Sequence, residues 1–230
     1  SALVVSWANV LAQLSEQHQH LHPDQIARFA HEAEVVAFHE AGGMMDQYST
    51  AYGGVLSIDF SNDMNVEPLN VELKNFVLGD SGEPKDTQGI LLRVKNGVLD
   101  IGKRLSEKHV GFSLRTATLD HLWELKRELT DDQAVLLHGT ILNHEITQEA
   151  RRLLHTKPLD HKRFGALLTK HQRVLGDAQR ISTPKIDRML DAALHAGAYG
   201  GKINGSGGGG CMCAYAPEHS EHVAEAIERA

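Results

Sequence analysis

Between Gly205 and Gly210 the chain runs Gly-Ser-Gly-Gly-Gly-Gly, five glycines in six residues, and no regular element tolerates such a stretch. Each glycine costs a helix interior about 1 kcal/mol relative to alanine and gives a strand no side chain to pack. The tract is therefore a turn whose residues can take positive φ and bring backbone amides close to an anion. Its flanks are apolar: a helical pattern of Ile186, Met189, Leu190, Ala193 and Leu194 precedes it, and Cys211-Met212-Cys213-Ala214-Tyr215 follows directly. That setting suits a phosphate cradle or a tight strand-to-strand turn better than a polar interdomain linker.

A chain of 230 residues has room for two modest domains, each with its own core. Twenty-three Lys plus Arg against thirty Asp plus Glu leave a formal charge of -7, which argues against a nucleic-acid partner bound through a global basic field and favours a small-molecule ligand. No run of eighteen apolar residues and no basic-apolar leader occurs, so a cytoplasmic protein without membrane contact is expected. The two cysteines, Cys211 and Cys213, are spaced for neither a zinc pair nor a redox CxxC and read as reduced strand residues. The fifteen histidines scatter, as at His18, His20, His22, His31 and His39, which predicts solvated helix positions for most of them in place of metal ligands.

Apolar spacing predicts helices over 2–20 (Trp7, Val10, Leu11, Leu14) and over 26–38 after Pro23, the latter stopping near Gly42-Gly43. A loop, GGMMDQYS, should follow, then strands over 53–60 and 75–79 separated by a domain joint. Ile90, Leu91, Val94, Val98, Leu99 and Ile101 predict a helix over 87–105, and others are expected over 117–128, 131–154 and 160–175. Thr183 should cap a helix that begins at Pro184 and ends at Gly197. Beyond the glycine tract a strand over 211–216 and a helix over 218–230 complete an α+β chain in which helices dominate.

Two carboxylates stand out upstream. Glu34 lies on a predicted helix and Asp46 just past the break that ends it, so both can point into one cleft without sharing a helical face. Phosphoryl transfer uses such a pair, one oxygen ligand for Mg²⁺ and one carboxylate to accept or orient the proton of an attacking hydroxyl. A solvated helix glutamate and a turn aspartate would produce the same letters.

Three blocks resemble the GHMP kinases, the family of galactokinase, homoserine kinase, mevalonate kinase and phosphomevalonate kinase. Residues 197–211, GAYGGKINGSGGGGC, are similar almost throughout to the family's carboxy-terminal signature, GA-x-G-[AG]-[KR]-[LMI]-x-G-[AGS]-G-x-GG-C. Gly43-Met44-Met45-Asp46-Gln47 resembles the sugar-kinase, galactokinase-like branch, and Glu34 falls where that branch keeps a magnesium-associated glutamate. Ser1-Ala2-Leu3-Val4-Val5 resembles the end of the family's phosphate loop as it enters its helix.

The resemblance implies a two-domain architecture, residues 1–70 being the remainder of a ribosomal-protein-S5-like amino-terminal domain and 71–230 a ferredoxin-like carboxy-terminal domain. It implies ATP and Mg²⁺ as cofactors and a small-molecule sugar, or a mevalonate-like alcohol, as acceptor. Asp46 would sit at the acceptor hydroxyl, with Gly42, Gly43 and Gly205 lining the substrate site. Ser1, Gly205, Ser206, Gly207 and Gly208 would line the ATP phosphates, and Ser1 and Glu34 would serve the metal. Most of the family's phosphate loop would precede Ser1 and a closing strand would follow Ala230, so the chain reads as truncated at both ends and inactive by itself. The segment Asp80–Thr87 reads as a polar turn into a helix, a capped start or a substrate contact. Besides the sugar 1-kinase, the pattern accommodates a mevalonate-kinase-like enzyme or a non-catalytic sugar- and ATP-binding regulator, and it carries no signal of oligomeric state.

Overall fold

The computed structural model of the chain describes residues 1–15, 20–40, 42–60, 64–85 and 87–230. The tail of the first predicted helix with His18, residue Asp86, and the side chains of Thr87 and Leu91 lie outside this description. The described chain is α+β and falls into two compact units, Ser1–Val71 and Glu72–Ala230.

In the first unit, α1 (Ala2–Leu14) and α2 (Pro23–His31) pack through Val5, Ile26 and Ala30. The start of α2 is a closed capping box, because the His22 ring accepts from Asp24 N–H while the Gln25 side chain accepts from His22 N–H, with Pro23 at the first helical position. The helix predicted to run on to residue 38 instead widens into a π-helical turn over Glu32–Val36, where Ala37 and Glu40 N–H reach back to Glu32 and Val35 carbonyls. Such a turn holds one extra residue and re-aims the side chains within it. The segment predicted as a loop is in fact a short helix, α3 (Met45–Tyr52), held by the wholly buried Tyr48, whose hydroxyl donates to Asp24. Strand β1 (Val55–Asp59) pairs antiparallel with β2 (Asn65–Leu69), which the sequence reading placed in a joint. Pro68 hid it, since proline is tolerated in a strand only where its missing N–H faces no partner.

The second unit is built on a three-stranded antiparallel sheet in the order β3 (Phe76–Asp80), β5 (Cys211–Tyr215), β4 (Gly200–Ile203). Between β3 and β4 come α4 (Thr87–Lys108), α5 (Leu119–Leu125), α6 (Asp131–Leu154), α7 (His161–Asp177) and α8 (Pro184–His195), and α9 (Ser220–Arg229) follows β5. Thr118, Thr130, Asp160 and Thr183 each cap a helix by accepting a first-turn N–H. One sheet face buries Ile203, Met212 and Ala214 against Met189, Val223 and Ile227 of α8 and α9. On the other, Tyr215 packs against Phe164 and Tyr199 near α7. Strand β4 was not foreseen, because Gly200-Gly201 reads as a breaker. The glycine is a clearance: a Cβ on Gly200 would fall 1.7 Å from the Gly165 carbonyl oxygen of α7. Both cysteines are free on β5, and no helix among the described residues is long and apolar enough to cross a membrane.

Candidate functional site

The first unit gathers three polar residues from separate elements. Ser1 stands at the N-cap of α1, Glu34 lies inside the π-helical turn and Gln47 lies on α3. The Ser1 hydroxyl donates to Glu34 Oε1 at 3.1 Å and the Ser1 backbone nitrogen reaches the same oxygen at 2.8 Å. Gln47 Nε2 donates to Glu34 Oε2 at 2.7 Å and approaches Ser1 Oγ at 3.4 Å. Glu34 presents a half-buried carboxylate, a hard oxygen donor beside a hydroxyl. Those donors fit Mg²⁺, which takes one or two carboxylates and keeps several waters.

Asp46 stands one residue before Gln47, in the first turn of α3, and its side chain is exposed. It is not part of the hydrogen-bonded cluster. Of the two glycines named with it, Gly42 approaches Val35, where a Cβ would sit 3.3 Å from Cγ2. A Cβ on Gly43 would meet nothing within 4 Å, and its φ lies outside the left-handed region. Neither backbone conformation nor packing within the fold requires glycine at 43.

In the second unit the glycine tract is clasped by its own protein. Gly207, Gly208, Gly209 and Gly210 have φ of +83°, +73°, +113° and +70°, and two of their amides are spent internally. Gly208 N–H donates to the Ile181 carbonyl at 2.7 Å and Gly210 N–H to the Glu83 carbonyl at 3.0 Å. The Gly210 carbonyl accepts from both the amide and the hydroxyl of Ser81, at 2.9 and 2.7 Å. Lys85 lies along the tract and donates through Nζ to the Asn204 carbonyl at 3.0 Å, while Glu83 accepts from the Thr183 hydroxyl that caps α8. The segment Asp80–Lys85 therefore wraps the tract, a role that the sequence reading did not assign to Ser81, Glu83 or Lys85. The Ser-Gly turn was their only local signal. Gly205, exposed at the tip, has Lys85 Nζ 3.2 Å from where its Cβ would be.

A second group also escaped sequence reasoning. Burial holds the Lys202 ammonium below its usual range, and burial together with the charge on Lys202 depresses His171 to about 4. Burial also pushes up the Cys213 thiol, which sits opposite Lys202 in the β4–β5 register. His171 is not one of the solvated histidines expected from scatter.

Residues 150–230 match the family model described as GHMP kinases C terminal. The mevalonate kinase of Thermococcus sibiricus is 28% identical over 213 residues, covering 90% of this chain and 53% of the relative. The galactokinase of Bos taurus is 31% identical over 119 residues, covering 49% of this chain and 30% of the relative. Among solved structures, Lactococcus lactis galactokinase complexed with galactose superimposes with a TM-score of 0.82 at 17% identity, covering 100% of this chain and 61% of its own. The L. major mevalonate kinase in complex with R-mevalonate gives 0.65 at 18%, covering 98% and 58%. The chain spans about half the length of the Thermococcus sibiricus and Pyrococcus horikoshii mevalonate kinases. Residues 150–230 thus match the GHMP kinase C-terminal model, and the chain shares the fold of the galactokinase and mevalonate kinase structures and sequence similarity with mevalonate kinases and galactokinases.

Proposed function

We propose that the chain belongs to an ATP-dependent kinase that phosphorylates a sugar hydroxyl, a galactokinase-like sugar 1-kinase, with Asp46 at the acceptor. The observation that carries this reading is the Ser1–Glu34–Gln47 cluster held beside an exposed Asp46 on the same turn of α3. Gly43 adds to it, because a glycine that the fold does not need is one that a closely approaching ligand can need.

Asp46 accepts or orients the proton of the attacking hydroxyl. Ser1 and Glu34 would hold Mg²⁺, which when bound neutralises charge on the transferring phosphate. Gly42 and Gly43 give the acceptor room, and in the second unit the tract from Gly205 to Gly208 would line ATP phosphates. Because Gly208 donates to Ile181, the contribution of that residue is shape and not an amide to phosphate.

Mevalonate is the second acceptor reading, favoured by the 28% identity to the Thermococcus enzyme across 90% of the chain. The test is full-length protein with ATP, Mg²⁺, a panel of free sugars and mevalonate. Sugar-dependent ADP release, lowered about 10²–10⁴-fold by Asp46→Asn, is expected. Turnover of mevalonate alone moves the acceptor to the second reading. Nucleotide binding with no turnover on any acceptor leaves a non-catalytic regulator.

A further inference from the structure

Gln47 is the only buried polar or charged residue among those described, 2% exposed. Its carboxamide is oriented by chemistry: a carboxylate only accepts, so the nitrogen must face Glu34, as it does at 2.7 Å. That orientation leaves Oε1 buried with no hydrogen-bond partner, one of two such side-chain acceptors among the described residues. An orphaned buried carbonyl carries the full desolvation cost of the group, set here against the single bond that the nitrogen makes to Glu34. The bond to Glu34 accounts for the nitrogen, but no contact among the described residues accounts for the oxygen. Hydrated Mg²⁺ does, because such an ion keeps several waters that need acceptors beyond its direct ligands.

We propose that Gln47 is a positioning residue for a divalent cation: its nitrogen holds the Glu34 carboxylate against Ser1, and its carbonyl oxygen accepts from a water carried by that cation. This rests on the kinase reading for the identity of the ion, Mg²⁺ with nucleotide. It assigns to the residue after Asp46 a role separate from that of Asp46, so that the two faces of one helical turn serve the acceptor and the metal.

The test uses Mn²⁺ with ADP as the probe, followed by electron paramagnetic resonance in the full-length protein, wild type against Gln47→Met and Gln47→Asn. Gln47→Met is nearly isosteric and should keep the melting temperature while weakening Mn²⁺ binding about tenfold, within the range found for residues that orient metal ligands. The Mg²⁺ concentration for half-maximal turnover should rise by the same factor with the acceptor KM unchanged, and Gln47→Asn, which keeps a shorter carboxamide, should fall between. Mn²⁺ affinity unchanged in the folded variants overturns the proposal and leaves the kinase reading standing. If Gln47→Met does not fold, unchanged affinity in Gln47→Asn has the same force. A wild type that binds no Mn²⁺ also overturns it. Weakened binding in a protein that phosphorylates no acceptor supports the role of Gln47 and ends the kinase reading instead.

Discussion

Gly207→Ala should destabilise the second unit by about 2–4 kcal/mol, and the reasons are separable. A φ of +83° costs a residue with a Cβ about 1–2 kcal/mol in the left-handed region. The new methyl would lie 2.6 Å from the Ile181 carbonyl oxygen and 2.7 Å from its Cβ, closer than real Cβ contacts come. Ile181 is buried, and its carbonyl accepts the Gly208 N–H at 2.7 Å, so relieving the clash strains or breaks that hydrogen bond at a further cost of about 1–3 kcal/mol. Reduced freedom of the unfolded chain returns about 0.4–1 kcal/mol. For a domain of this size the balance lowers the melting temperature by roughly 5–15 °C, measurable by calorimetry with urea unfolding as a cross-check. Gly43→Ala is the paired control: with nothing within 4 Å of its Cβ it should change stability by less than about 0.5 kcal/mol, while lowering kcat/KM for the acceptor. A loss below about 1 kcal/mol for Gly207→Ala, or an equal loss for Gly43→Ala, refutes the reasoning.

His171 should make stability fall on acidification. Its folded pKa of about 4 lies below the unfolded value of 6.5, so between those limits the unfolded chain binds a proton that the folded one excludes. Stability is retained above pH 6.5 and declines toward pH 4 by up to roughly 3 kcal/mol; Lys202→Met should shrink the decline, and an imidazole titrating near 6.5 by NMR would show the assignment wrong. Thr183→Ala should cost about 1–2 kcal/mol in urea unfolding, because it removes both the cap of α8 and the donor to Glu83, and a loss confined to a few tenths would mean that the Glu83 link contributes nothing.

Elements with strong local chemistry were legible. Apolar spacing located α5 to α8, and Thr183-Pro184 fixed the first residue of α8; the caps at Thr118, Thr130 and Asp160 emerged from the structure. What failed was set by tertiary contacts. Helix α3 has no capping side chain, and Asp46, Gln47 and Ser49 are ordinary loop residues; burial of Tyr48 and Gln47 decides the conformation. Strand β4 begins with two glycines because α7 passes too close for a Cβ at Gly200 and the Cys213 carbonyl and Leu190 too close for one at Gly201, which no local rule reveals. The π-helical turn is equally silent, since its residues Glu32 to Val36 would sit as well in an α-helix. At the site, Ser1 and Glu34 were named from resemblance and come together, whereas the Gln47 carboxamide that joins them was read only as a letter in a motif.

The two glycine-bearing motifs differ in what explains them, and that difference bears on where function lies. In the tract, positive φ, the Ile181 carbonyl, the Glu83 carbonyl and the Lys85 stem each exclude a Cβ, so the fold alone accounts for Gly207 to Gly210. Around Asp46 the fold accounts for less: Gly43 has open space, Gln47 buries an acceptor with no partner, and Asp46 is exposed at the start of a helix it does not cap. Residues that break local rules without a compensating contact are the ones expected where a ligand completes the structure. By that criterion the more recognisable motif is chiefly architecture, and the proposed acceptor and metal roles are best tested at Gly43, Asp46 and Gln47, beside Glu34.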